Sequence, residues 1–440
     1  MLRYDYTCMR NTTLAHRPSF KPVAMSQPGS SLQSEPVLII GAGISGLTFA
    51  QACRKADIPY LIFERDDSAT YRSPGWGLTV HWALLDFKTI LPDDLVARLP
   101  ETYVNRSAVE AGEKGSFTFF DLSTAEAKWK VPAAERIRVS REKLKTLLLA
   151  DLDVQWSKTL VSVELVNEAV KATFSDGTSA TGSILVGCDG AHSAVRRILH
   201  PEEHQNSQLP IRLLGATVQY AECQISAIRD LDPFFLQGTD SKTDGYLFFS
   251  FLETPSDSQA DHKYKCQIII SWPYRGKWLD RADPTGVPNT KTGQLTLMRH
   301  LSQSWAEPFR SLVQNIPRDA DIRPIELTDW EPRKSSGFGG RVFLVGDAAH
   351  AMVMYRGEGA NLSIVDVARL LEKIKSLYAD RGESGFEAAR AAYEEEMVER
   401  TELAVKASRR ACLDAHEYAR VNEGSPLVRR RLMRADLEME

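Results

Sequence analysis

The chain has 440 residues, 54 basic against 58 acidic side chains for a formal charge of −4, with 43% hydrophobic and 25% charged residues. That balance fits a folded globular chain of two or three domains. It excludes a disordered, collagen-like or coiled-coil protein and gives no basic footprint for nucleic acid. The six cysteines (Cys8, Cys53, Cys188, Cys223, Cys266 and Cys412) show no CxxC or other metal-ligand spacing, so no metal site is expected and a reducing, cytoplasmic setting is the default.

Residues 1–35 read as a disordered tail. Arg3, Arg10, Arg17 and Lys21 among many Ser and Thr give it a weakly transit-like composition, but Pro18 and Pro22 interrupt any helix, and Met25 is an alternative start. Val37 to Cys53 is apolar and uncharged, yet at about 17 residues it is short for a membrane span and holds three glycines. A strand from Val37 to Ile40, a helix from Ile44 to Lys55 and a second strand from Tyr60 to Phe63 explain it better, as one βαβ unit. No membrane span is expected.

Further along, Asp86 to Leu99 reads as one helix, Gly115 to Leu122 and Ala127 to Val131 as hairpin strands, and Ser140 to Leu149 as a helix. Thr159 to Phe174 alternates apolar and polar residues up to the turn Asp176-Gly177, and Ser183 to Gly187 is another buried strand. From Leu209 to Trp272 strands dominate: Gly215 to Cys223, Gly245 to Phe251 and Lys265 to Trp272. Thr292 to Val313 then reads as a helix, Arg341 to Val345 as a strand, and Asn361 to Leu377 and Phe386 to Tyr418 as helices. No repeat is visible. The fold class expected is α/β: a Rossmann-like domain with an inserted, mostly antiparallel sheet and a C-terminal helical region. The boundaries are 36–208 for the first part of the nucleotide-binding domain, 209–330 for the inserted sheet, 331–380 for the domain's return and 381–440 for the C-terminal helices.

Three motifs carry chemistry, each placed after an apolar strand. Gly41-Ala-Gly43-Ile-Ser-Gly46 opens a helix: the first glycine suits a tight turn, the second close approach to a pyrophosphate, the third helix–strand packing. Glu64 ends the next strand, where a carboxylate can bind ribose hydroxyls. Asp189-Gly190 follows the strand ending at Gly187; by itself it reads as a turn, with Arg196 and Arg197 as a solvated face. Gly346-Asp347-Ala-Ala-His350 follows the last strand, and Gly357-Glu-Gly359-Ala360-Asn361 enters a helix. Asp347 alone would read as a helix cap and His350 as a packed histidine.

In this order and spacing the three motifs resemble the flavin-dependent aromatic hydroxylases of the para-hydroxybenzoate hydroxylase type, in the manner of fungal secondary-metabolite members. The resemblance covers Val37 to Leu377. It implies FAD held non-covalently, with Gly41, Gly43, Gly46 and Glu64 on its ADP half, Asp347 on the ribityl chain, and Gly357, Gly359, Ala360 and Asn361 along the flavin ring. It likewise implies cofactor contacts for Gly77 and Arg141 and a FAD- and NAD(P)H-linked role for Asp189. NADH or NADPH is implied as a transient co-substrate, since no second GxGxxG stands in the chain. The flavin C4a-hydroperoxide would pass one oxygen atom from O2 to an aromatic, polyketide, terpenoid or alkaloid-type small molecule. A same-fold dehydrogenase without oxygen insertion and a non-catalytic flavin-binding protein are the alternatives. Met354 stands where the family often has proline, which bears on the loop over the flavin. Tyr220, Tyr246, Phe248, Trp272 and Tyr355 are candidate substrate-wall residues, and no catalytic base is assigned, His81 and His350 being the nearest candidates.

Overall fold

The computed structural model describes residues 35–69, 75–131, 135–255, 262–380 and 385–429. The expected tail, with Met25 and its transit-like composition, lies outside the described residues.

Short runs of branched apolar residues, buried on both faces, form the strands of a five-stranded parallel sheet. Its order is Val342–Leu344, Ile184–Gly187, Val37–Ile40, Tyr60–Phe63, Val154–Gln155. Each neighbouring pair is in parallel register, Val37 opposite both Ile184 and Tyr60. The helices Ile44–Lys55 and Gly359–Asp380 pack together beside it. Because all five strands run the same way, the loops that follow them emerge at one edge.

A second, seven-stranded sheet has the order Asp321–Pro324, Ile211–Tyr220, Tyr264–Pro273, Tyr246–Glu253, Phe235–Thr239, Phe117–Asp121, Glu126–Val131. All pairings are antiparallel except Phe235–Thr239 with Phe117–Asp121, which is parallel. Residues 117–131 are thus not an insertion of the first domain but the far edge of this sheet, which reaches outside the expected 209–330. Strand alternation gives the sheet two faces. Leu214, Tyr220, Leu236, Phe249, Ile268, Ile270 and Trp272 pack on the helices Lys291–Leu301 and Phe309–Gln314. Phe235, Gln237, Tyr246, Phe248, Gln267 and Ile269 face the other way, toward the first sheet's loops.

Two expected helices are broken. Asp86 to Leu99 divides into Leu84–Ile90 and Asp93–Arg98, because Leu91 ahead of Pro92 is extended, at φ −80°, ψ 148°. Thr292 to Val313 divides at residues 302–308, since Pro308 cannot continue a helix and instead starts the next. Among the described residues of the C-terminal region there is one α-helix, Phe386–Ala415, followed by the turn Tyr418–Arg420. That helix straps the sheets together. Tyr393 Oη donates to Leu344 O, Ser408 Oγ to Val353 O, and Thr239 Oγ1 to Ala415 O, at 2.7–2.9 Å. No helix among the described residues is long and apolar enough to cross a membrane.

Candidate active site

Four adjacent parallel strands end in the singled-out motifs. Gly41 N donates to Phe63 O at 2.7 Å, Cys188 N to Ile40 O at 2.8 Å and Val345 N to Gly187 O at 3.0 Å, so the ladder of the sheet continues into its loops. The three glycines of the first loop differ physically. A Cβ on Gly41, at φ +104°, would sit 2.6 Å from Cys188 O, and one on Gly46 would sit 1.9 Å from Gly41 O. A Cβ on Gly43 would meet nothing within 4 Å. Gly41 and Gly46 therefore serve the turn and the packing, while Gly43 faces open space. No side chain caps the 12-residue helix that Gly43 begins, so its first amides point toward that space with the positive end of the helix dipole.

Glu64, buried, accepts from Ala42 N at 2.6 Å and Asp66 N at 3.1 Å. It clamps the glycine loop to the neighbouring strand, and a carboxylate's remaining lone pairs stay available to a ligand hydroxyl. Asp189 accepts from Ser193 Oγ, Ala194 N and Val195 N at 2.5–3.2 Å and so caps the helix Ala194–Leu199; burial raises its pKa, against those hydrogen bonds. Arg196 is no solvated residue. It is buried, stacks 4.6 Å from the Trp330 ring centre, and donates to Asp347 O at 3.3 Å, joining the second motif to the third.

The loops open on a cavity of about 690 Å3, in the range of small-molecule sites. Of the residues singled out in the sequence, Gly43, Gly77, Arg141, Asp347, Gly357, Gly359 and Ala360 line it. Gly41, Gly46, Glu64, Asp189 and Asn361 do not line it; Gly190 and Cys188 reach it in place of Asp189. Asp347 lines the cavity and is exposed to it; the protein crowded around the cavity raises its pKa, opposed by His350, Arg141 and Arg196. Asn361 is a buried staple: its Nδ2 donates to Thr79 O at 2.9 Å and its Oδ1 accepts from His81 N at 2.9 Å, tying the start of the helix Gly359–Asp380 to the strand Gly77–Val80. Gly357 holds φ +66° with open space where a Cβ would go.

The opposite wall is the inward face of the seven-stranded sheet. Tyr246 and Phe248 on that face, and Tyr355 from the turn Met354–Arg356, line the cavity, whereas Tyr220 and Trp272 belong to the sheet's other face, donating to Leu312 O and Thr285 O. His81 lines the cavity; His350 does not, and its Nε2 is spent on Asp366 at 2.6 Å. Behind the wall runs a directed chain. His416 Nδ1 must donate to Cys412 O at 2.7 Å, so Nε2 accepts from Ser271 Oγ at 2.8 Å, and Tyr355 Oη donates to the same Ser271 Oγ at 2.9 Å. Burial pulls His416 down to about 4, which keeps it a neutral acceptor. Sequence reading missed Arg136, Arg138, Gln237, Gln267, Trp76 and Trp82, all of which line the cavity. The available signal was Gln237 and Gln267 standing inside otherwise apolar strands.

The residues fit a dinucleotide-linked flavin: a glycine with an empty Cβ position before an uncapped helix, a carboxylate open to the cavity, and a left-handed glycine beside it. The sequence matches the family model described as FAD binding domain over residues 34–241 and 309–408. It is 45% identical over 428 residues to a “Probable FAD-dependent monooxygenase” of Arthroderma benhamiae, covering 94% of this chain and 99% of that one. To the FAD-dependent monooxygenase dbaB of Emericella nidulans it is 40% identical over 359 residues, 80% of this chain and 89% of that one. Among solved structures, HpxO of Klebsiella pneumoniae complexed with FAD and uric acid shares the fold, at TM-score 0.68 and 19% identity, over 90% of this chain and 95% of that one.

Proposed function

This chain belongs to the FAD binding domain family and is an FAD-dependent monooxygenase, and on that premise we propose how its residues divide the work. The amides after Gly43 hold the pyrophosphate, Glu64 the adenosine ribose and Asp347 the ribityl chain. Arg141 closes over the cofactor from the head of its own helix, and the backbone at Gly77, Gly357, Gly359 and Ala360 borders the ring. Gly41, Gly46, Asp189 and Asn361 shape these contacts from behind. FAD, when bound, supplies electron transfer and oxygen activation. NADH or NADPH is the reductant in this reading.

The single observation that carries it is the convergence of three strand-end loops and one aromatic sheet face on the same cavity. The loops supply a cofactor cradle and the sheet face supplies a wall for an organic substrate. The wall's work is to orient that substrate and exclude water, for which Phe248, Ile269 and Leu213 are suited. The test is direct. The purified protein should be yellow and release all its flavin on mild denaturation. With NADH or NADPH it should consume O2 in step with a product heavier by one oxygen atom. Flavin that stays on the denatured chain would overturn non-covalent binding, and turnover without oxygen in the product would make it a dehydrogenase.

A further inference from the structure

The triplet Gly75-Trp76-Gly77 has no part in the cofactor reading beyond the backbone of its last residue. Physically it is a mount for one side chain. A Cβ on Gly75, at φ +80°, would sit 3.0 Å from Arg141 Nη1, and one on Gly77 would sit 2.5 Å from Arg138 Nη2. Two guanidiniums thus run along the backbone where side chains would otherwise stand, and the indole is the one side chain the triplet presents. The mount is tied down on both sides. Arg141 N donates to Trp76 O at 3.2 Å, Gly77 N donates to Gln267 Oε1 at 3.4 Å, and Gly77 pairs with Ser140 in an antiparallel ladder.

The seat for the indole lies on the seven-stranded sheet. Gly215 stands midway along the strand Ile211–Tyr220, opposite Ile269 on one side and Arg323 on the other. By alternation it shares the inward face with Leu213, and Leu213 and Ile269 both line the cavity. A Cβ on Gly215 would fall 2.6 Å from both Cζ2 and Cη2 of Trp76, with Ile325 Cδ1 at 3.7 Å. Trp76 and Ile325 pack against the apolar cluster that holds Leu213 and Ile269. The backbone does not ask for glycine there, since Gly215 is not among the glycines of positive φ. A branched residue is the ordinary occupant of such a strand and would fill the sheet by itself. Glycine inside a strand marks the close approach of another group, and here that group is the indole. The tip of the ring sits in a notch made by an omitted side chain, while Trp76 also lines the cavity. A wall piece carried on one domain and seated on the other sets how far the cavity extends between them.

We propose that Trp76 is a specificity-determining residue, a partition seated in the Gly215 notch that closes the cavity along the strand Ile211–Tyr220 and limits the size of the substrate it admits. The inference rests on reading this cavity as the oxygenation chamber, and a wild-type protein purified without flavin would show that reading, rather than this one, to have failed.

Calorimetric titration of the flavin-loaded enzyme with 2-naphthol and 2-anthrol, which differ by one fused ring, tests it. The wild type should bind the two-ring ligand at least about tenfold more tightly, the order of penalty for overpacking a filled space. Trp76→Ala should remove that preference by gaining affinity for the three-ring ligand, and Trp76→Leu should fall between. Adding Gly215→Val to Trp76→Ala refills the notch from the sheet side and should restore part of the preference. Gly215→Val alone drives the indole off its seat toward the cavity and should weaken both ligands. A wild type that binds both ligands equally, binding of neither ligand by wild type or Trp76→Ala, or an unchanged preference in Trp76→Ala and Trp76→Leu overturns the proposal. So does a three-ring gain that survives undiminished in the double variant, or unchanged affinities in Gly215→Val. Loss of flavin from Trp76→Ala and Trp76→Leu in place of a shifted preference also overturns it, by making Trp76 a support of the cofactor.

Discussion

His350 Nε2 meets Asp366 Oδ2 at 2.6 Å, with both side chains fully buried. The same oxygen accepts from Gly346 N at 2.8 Å, and Arg400, from the long C-terminal helix, donates to the other oxygen at 2.9 Å. One carboxylate therefore holds both ends of the turn that presents Asp347 to the cavity, and anchors that turn to the strap across both sheets. Gly346, at φ +65°, makes the turn possible, and a Cβ there would fall 2.7 Å from Ser45 Oγ. His350 is a positioning residue in this arrangement.

Asp366→Ala should therefore be among the most damaging single changes outside the cavity. It takes the acceptor from Gly346 N and His350 Nε2 and leaves the buried Arg400 guanidinium with Glu396 alone, a loss of about 3 kcal/mol. Burial favours the neutral acid, but His350 and Arg400 overcome it and hold Asp366 at about 2. Its stabilisation is thus complete above the ordinary carboxylate pKa and is lost as pH falls toward 2. Thermal melts at neutral pH and near pH 3 measure this. An Asp366→Ala protein that melts like the wild type at neutral pH would contradict it.

Two of the three glycines of the first loop, Gly43 and Gly46, should separate binding from folding. Gly46→Ala puts a methyl carbon 1.9 Å from Gly41 O, so the helix must move off the strand, at a cost of about 1–3 kcal/mol or more. Gly43 has an ordinary φ of −78° and empty space at its Cβ, so Gly43→Val should keep the melting temperature of the flavin-free protein and lose flavin. Flavin content and apoprotein melting, measured on both, decide it. Normal flavin in Gly43→Val would sink the pyrophosphate assignment.

How much of this was readable beforehand follows from sequence distance. Gly41 to Gly46, Glu64, Asp189 and Asp347 stand within a few residues of apolar strands, and parallel strands deliver their loops to one edge, so local reading reached the loops at that edge. The sheet wall is different. Arg138 meets Ser250 across 112 positions, and Gly77 N reaches Gln267 Oε1 across 190. The parallel pairing of Phe117–Asp121 with Phe235–Thr239 needs a long crossover that alternation cannot show. Arg196 looked solvated because it stands in a charged pair with Arg197, whereas its burial comes from Trp330 and Asn206.

Glu64→Ala should lose flavin and also loosen the glycine loop, because the carboxylate takes the Ala42 and Asp66 amides in addition to the ribose contact proposed for it. Each charge-assisted hydrogen bond is worth about 1.5–3 kcal/mol. Glu64→Gln keeps one acceptor oxygen and should fall between. Asp66→Ala serves as the comparison, with a smaller effect on flavin affinity expected. Equal flavin retention in Glu64→Ala and Asp66→Ala would remove Glu64 from the binding site.

The last prediction concerns pH and the chain from Tyr355 through Ser271 to His416. In the folded protein His416 protonates only near pH 4, because it is buried, despite the acceptor at Cys412 O, and Arg275 adds a like charge. In the unfolded chain it titrates near its ordinary 6.5. Above 6.5 both states are neutral there and the residue's share of stability is complete. Between 6.5 and about 4 the unfolded chain takes up a proton that the folded chain refuses, so stability drains away as pH falls, by up to about 3 kcal/mol. Protonation would also end the acceptance of the Ser271 hydroxyl, turning that hydroxyl and Tyr355 away from their present directions. His416→Gln carries no titrating ring, so its melting temperature should change less than the wild type's between pH 7 and pH 4.5, with the two curves differing most at neutral pH. Superimposable slopes for the two proteins would mean that His416 already exchanges protons freely with solvent, and that the buried chain behind the cavity wall does not constrain it.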